Sequence, residues 1–327
     1  GIYYKDQNTD TTFFANSVRA DAGGIGFSTE GVLPVYANNF ALFTFNTFYL
    51  TDTLQLEAGL RWTDYDNYRR ADVFYDELGY LPSFLEPIRD VIDAGFAASF
   101  PINAINDAND HEDAFTGSVK LRWDWTDDVS LYGSYNRGYR PGGISISPTP
   151  NVVFLPNGED DLFYDEEESD AFELGFKSRL WEGRATLNGA LYYQDFDGYQ
   201  GFARGLQVLN DQGNPQDIPG GLVYNGDAQI WGVELEGQVL LTETWSAGGA
   251  MSYSKGEWDG AEKPCNEREP GESLGFCDID GDALGGEPEW SVSLNSEYYF
   301  PLDSTEIYIR GLFKYTDDRI NTDGSAG

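Results

Sequence analysis

The feature that most restricts this chain is the rhythm of its links. Period-two stretches recur and come in pairs, each pair joined by a turn of two to four residues. Ala41–Leu50 turns at Thr51–Thr53 into Leu54–Asp66, and Thr116–Trp125 turns at Thr126–Asp128 into Val129–Tyr139. Asp170–Trp181 turns at Glu182–Gly183 into Arg184–Phe196, and Ala228–Leu241 turns at Thr242–Thr244 into Trp245–Trp258. Glu289–Phe300 turns at Pro301–Ser304 into Thr305–Asp318, and Ile2–Lys5 opens the series. The links between pairs are long: roughly 7–40, 67–113, 140–169, 198–227 and 259–287. Strict alternation puts every short turn at one end of the strands and every long link at the other. Membrane barrels have this asymmetry, whereas soluble sandwiches mix loop lengths at both ends.

Each strand has two different faces. Leu54, Leu56, Ala58, Leu60 and Trp62 oppose Gln55, Glu57, Gly59, Arg61 and Thr63; Val119, Leu121, Trp123 and Trp125 oppose Ser118, Lys120, Arg122 and Asp124. Charges of both signs sit mid-strand on the polar side, at Glu57, Arg61, Lys120, Arg122, Glu173, Lys177, Arg179, Glu234 and Glu236. A hydrated lumen, where opposite charges can pair, suits that face, and lipid suits the other. Trp125, Trp181 and Trp245 flank short turns, while Trp62, Trp231, Trp258 and Trp290 lie towards the long links. That distribution predicts two aromatic belts at the headgroup levels.

Composition removes several classes of function. A net charge of -36 would repel phosphates, so nucleic acid is no partner. The single histidine, His111, lies in a polar stretch read as a link, which argues against imidazole-dependent hydrolysis and against an enzyme. Cys265 and Cys277 are the only cysteines, and a local disulfide in an oxidising compartment is expected of them. No run approaches the roughly 18–20 apolar residues of a membrane helix, and no signal peptide is visible. Gly1 reads as an entry in mid-strand.

Five segments then resemble one family. They are Gly59–Asp66, Ser130–Gly143, Glu168–Gln200, Asn225–Gly237 and Ile279–Phe300. Their Gly-Leu-Arg-Trp, Gly-Tyr-Arg-Pro-Gly-Gly, Glu-x-Gly-x-Lys and Gly-Val-Glu-x-Glu patterns are similar, in order and spacing, to the barrel of TonB-dependent outer-membrane receptors. The resemblance implies an all-β, antiparallel transmembrane barrel with short periplasmic turns and long extracellular loops. Family barrels have roughly 22 strands around a plugged lumen. About eleven are read here over 1–327, so the expectation is a partial barrel lacking the plug domain and the last strands.

By the same resemblance the chain is expected to serve active import of a scarce nutrient across the bacterial outer membrane, driven by the TonB complex through the plug. A ferric siderophore leads as cargo; a saccharide, cobalamin or a passive porin are the alternatives. No cofactor is implied, and the partners are outer-membrane lipid, the TonB complex and the small molecule. Loop-root residues offering cationic or aromatic groups to an anionic chelate are Tyr139, Arg140, Phe202, Arg204 and Trp258. Asp278, Asp280 and Asp282 with Gly281 imitate the start of a calcium loop, but position 289, where the closing Glu would have to come from, lies beyond a Pro and two Gly. No metal is therefore assigned, and those three carboxylates remain weak candidates.

Overall fold

The computed structural model describes residues 1–17, 27–79, 81–99, 102–145, 155–210, 212–218, 221–302 and 305–319. Eleven strands form one antiparallel sheet in which every strand pairs with its neighbours in sequence. They are β1 (Ile2–Ser17), β2 (Phe27–Tyr49), β3 (Leu54–Leu78), β4 (Ile102–Thr126), β5 (Val129–Arg140) and β6 (Glu167–Leu180). The meander continues through β7 (Ala185–Ala203), β8 (Leu222–Thr242), β9 (Trp245–Trp258), β10 (Trp290–Pro301) and β11 (Glu306–Thr316). The sheet is open, since β1 and β11 each pair on one side among the described residues.

The short turns have identifiable local causes. The Thr51, Thr126 and Thr242 hydroxyls each accept the backbone N–H two residues on, at 3.2 Å, so the side chain closes the turn itself. Between β6 and β7, Trp181 and Glu182 hold φ of 54° and 57°, and the Gly183 N–H donates to the Leu180 carbonyl at 3.1 Å. Two consecutive positive φ values make the hairpin turn whose twist matches the strands. Asp303 and Ser304 of the fifth turn, and residues 320–327, lie outside the described residues.

Three of the long links are shorter than the sequence suggests, among them 198–227, where β7 runs on to Ala203 and β8 begins at Leu222. β1 runs on to Ser17 and β2 begins at Phe27, while β3 extends to Leu78 and β4 begins at Ile102. What remains between β3 and β4 carries a helix, α1 (Arg89–Ser99). His111, read as a link residue, stands inside β4 opposite Asp66. The reason is composition: beyond the apolar band the outward face turns polar as well, at Asp64, Asp66, His111 and Asp113, so the alternation that announces a strand fades although the ladder continues.

Within the band the faces separate cleanly. Val119, Leu121, Trp123 and Trp125 are all well exposed on the outward side, as are Leu174, Leu191 and Leu294. On the inward side polar groups meet across strands: Lys120 sits 4.5 Å from the Tyr132 ring centroid, and Asn188 donates to Glu236 at 2.8 Å. Tyr132, Tyr192 and Tyr224 lie against Gly175, Gly232 and Gly201 of the adjoining strand, where any Cβ would strike the ring. Such aromatic–glycine pairs pin register while letting the sheet bend. No helix among the described residues is long and apolar enough to cross a membrane.

Candidate functional site: the loop cap

At the long-link end, three segments fold into a cap over β5–β10. Its elements are three two-stranded ribbons: Gly143–Ile144 with Phe163–Tyr164, Leu206–Leu209 with Pro215–Ile218, and Glu262–Cys265 with Gly275–Asp278. One apolar core joins Ile144, Leu155, Leu162, Leu206, Val208, Ile218, Leu222 and Leu274, drawn from all three segments. A second gathers Phe196, Ala228, Trp258, Ala261 and Ile279.

The Arg-Pro-Gly-Gly stretch launches the first segment. The Gly142 N–H donates to a Glu112 carboxylate oxygen at 3.0 Å. A Cβ at Gly142 would lie 2.5 Å from the Tyr164 carbonyl oxygen, so only glycine fits. Ser145, almost fully buried, accepts the Val223 N–H at 2.8 Å, and the Ser145 N–H donates to the Leu162 carbonyl at 2.7 Å. Asn225 fixes the returning end: its Nδ2 donates to the Asp165 and Gly198 carbonyls at 3.0 and 2.7 Å, and its Oδ1 accepts the Asp165 N–H at 2.8 Å. Gln200 Nε2 adds a bond to the Pro141 carbonyl at 2.9 Å. Thus Asn225 and the Arg-Pro-Gly-Gly motif act as pegs that hold a long segment against the sheet.

The other two segments are stitched to each other. Asn266 Nδ2 donates to the Gly205 carbonyl at 2.9 Å, and its Oδ1 accepts the Gln207 N–H at 2.8 Å. Arg268 donates to the Gln207 carbonyl at 2.6 Å. Cys265 and Cys277 are disulfide-bonded across their ribbon.

The residues named from sequence fall into three neighbourhoods. Tyr139 donates its hydroxyl to Glu112, and Arg140, largely exposed, lies 3.7 Å from Glu167. Arg204 lies over the Phe202 ring at 5.1 Å from its centroid, and Phe202 is 38% exposed. Trp258 is 8% exposed, wedged between Tyr199 and Tyr224 at 5.4 Å each. Its register partner is Ala228, whereas the exposed Trp231 faces Lys255, so Trp258 belongs to the cap core and not to an aromatic belt. Burial in that cluster pushes the Tyr224 phenol up to about 12 and raises Tyr199 as well. Asp278 and Asp280 spend carboxylate oxygens on the Asp280 and Gly260 N–H groups, at 2.9 and 2.8 Å, and shape a turn.

One cluster escaped the sequence reading. Asp64, Asp66 and His111 bring ligand atoms within 4.8 Å of one another on paired strands. Its signal was present as Asp-x-Asp and His-x-Asp at strand spacing, 64/66 and 111/113, but it stays invisible until the register is known.

Comparison with known proteins supports this architecture. The family model described as TonB dependent receptor-like, beta-barrel, matches residues 2–327. The pesticin receptor of Yersinia pestis is 28% identical over 139 residues, which are 42% of this chain and 17% of that protein. Among solved structures, the ferric yersiniabactin uptake receptor of Yersinia pestis aligns with TM-score 0.60 at 15% identity, over 99% of this chain and 40% of that one. The siderophore receptor PiuA of Acinetobacter baumannii gives TM-score 0.58 at 14% identity, over 99% and 44%. The chain spans less than half the length of these proteins. The chain belongs to the TonB-dependent receptor family, whose β-barrels are outer-membrane proteins of Gram-negative bacteria.

Proposed function

We propose that this protein binds and imports a ferric siderophore, with the TonB complex supplying energy through a plug domain and residues 1–327 contributing barrel wall and external cap. The observation that carries the reading is the cap itself. Three long segments share one core, a disulfide closes the last of them, and they hold Arg140 and the Arg204–Phe202 stack exposed at the roots of the loops. A passive pore needs no such rigid external platform, whereas a receptor does, because preorganised loops lose less entropy on capture. Arg and aromatic groups suit an anionic chelate. Relatives described as a ferric yersiniabactin uptake receptor and a siderophore receptor support the same cargo class. No chemical step is involved; the chain's groups bind and release.

The test is uptake of 55Fe-loaded siderophores by iron-starved cells producing the complete protein, with and without TonB. Saturable, TonB-dependent accumulation is expected, and Arg204→Ala together with Arg140→Ala should raise the half-saturating concentration. Unsaturable entry that ignores TonB would mean a passive channel. TonB-dependent growth on a saccharide or cobalamin, with no iron uptake, would shift the cargo class.

A further inference from the structure

On the outward side of β3 and β4 the face changes character in a single step. Trp62 and Phe115 are register partners; the next pair on the same face is Asp64 with Asp113, and the next is Asp66 with His111. Three carboxylates and the chain's only imidazole therefore occupy a two-by-two array just beyond the aromatic level. His111 Nδ1 lies 2.8 Å from Asp66 Oδ1, and its Nε2 lies 3.9 Å from Asp64 Oδ2. An ionised carboxylate can only accept, so Asp66 draws the ring hydrogen to Nδ1. In the neutral imidazole this leaves the Nε2 lone pair facing Asp64. A carboxylate on one ring nitrogen, orienting the other for a metal, is the arrangement that metal-bound histidines use.

We propose that His111 Nε2, Asp64 and Asp113 form a site for a zinc-class divalent cation on the outward face of the wall, with Asp66 as the orienting carboxylate. One imidazole with two carboxylates favours zinc-class ions over calcium or magnesium, which prefer oxygen ligands alone. Ligand bonds near 2.0–2.2 Å place two donors about 3.3–3.6 Å apart across a tetrahedral centre. The observed 3.9 Å closes to that by a small rotation of His111, whose side chain is more than half exposed and has room to turn. Asp113 accepts a long contact of 3.4 Å from Trp62 Nε1, a weak hold that lets it swing in as the third ligand. Water completes the shell. Nothing in this assignment depends on the transported cargo.

The full chain, without a polyhistidine tag and folded in detergent, is titrated with Zn2+ against a chromogenic chelator. Cu2+ serves as the spectroscopic probe. One Zn2+ per chain is expected, with nitrogen hyperfine coupling in the Cu2+ EPR spectrum that disappears in His111→Ala. Asp66→Asn should weaken Zn2+ about 10- to 100-fold while keeping that coupling. Should the variants fail to fold, Zn2+ must still slow diethyl pyrocarbonate modification of His111 in the wild-type chain, read by mass spectrometry. Unchanged Zn2+ affinity in folded His111→Ala, or modification of His111 at an undiminished rate under saturating Zn2+, would overturn the site and leave a plain His–Asp ion pair.

Discussion

The wall carries Leu174, Leu191, Leu294 and Phe313 more than half exposed, whereas the cap buries Leu162, Ile218, Leu222 and Val208 almost completely. Both regions are β-structure from one chain, yet opposite physics holds them. Wall strands are secured by their ladder, because lipid offers backbone groups no alternative partner and makes an unpaired one expensive. Their apolar side chains need no protein partner, since hydrocarbon is as good a neighbour. The cap stands in water, where only exclusion of apolar surface, pegs such as Asn225 and a covalent bridge can order segments this long. The two meet at the outer strand ends, where Gln200 and Asn225 bond the cap and Phe196, Ala228 and Trp258 pack into its core.

Substitutions sharpen that contrast, starting with the largest effect. Leu162→Ala removes a side chain with no exposed surface and should destabilise the cap by about 2–5 kcal/mol. Hydrogen exchange should quicken over the three cap segments and stay unchanged in β3–β6; equal loosening of both would break the contrast. Leu294→Arg acts on the other side, placing a charge in the apolar band at a cost of about 2–4 kcal/mol. It should lower the temperature of heat-modifiable migration while leaving cap proteolysis as before. Replacing Cys265 and Cys277 by Ser opens a closure of 12 residues and should cost about 3 kcal/mol. Proteolytic nicking within 259–289 reports that loss, and the wall should not notice it. The smallest effect belongs to Glu182→Gly. It replaces a residue at φ 57° by one that tolerates the left-handed region, so the urea midpoint should rise by the equivalent of about 0.5–1 kcal/mol.

The same division explains what could be read from sequence. The banded part of the wall was legible because one face meets lipid and the other water, so Leu54–Trp62 and Val119–Trp125 alternate visibly. The outer halves of β1–β4 were not, since past Asp66 the residues Asn67–Asp72 no longer alternate between apolar and polar. Trp258 could not be told from a belt residue, because a tryptophan near a strand end reads alike whether its parity points to lipid or to the cap core. The His111 array needed a partner strand 45 residues away, and no local pattern announces that. The cap core is assembled from single apolar residues in polar, glycine-rich segments, and only their convergence gives them meaning.

The strictly sequential strand order carries a consequence for assembly. Each wall strand's partners are its neighbours in the chain, so forming the sheet never requires a distant segment to be found first. Hairpins closed by Thr51, Thr126 and Thr242 are short loops with little closure entropy, and each completed hairpin is a template edge for the next. The long links enter that process only as spectators, since lengthening one raises its closure entropy logarithmically. Registration of the wall should therefore proceed hairpin by hairpin, with the cap consolidating last and its length free to drift between relatives.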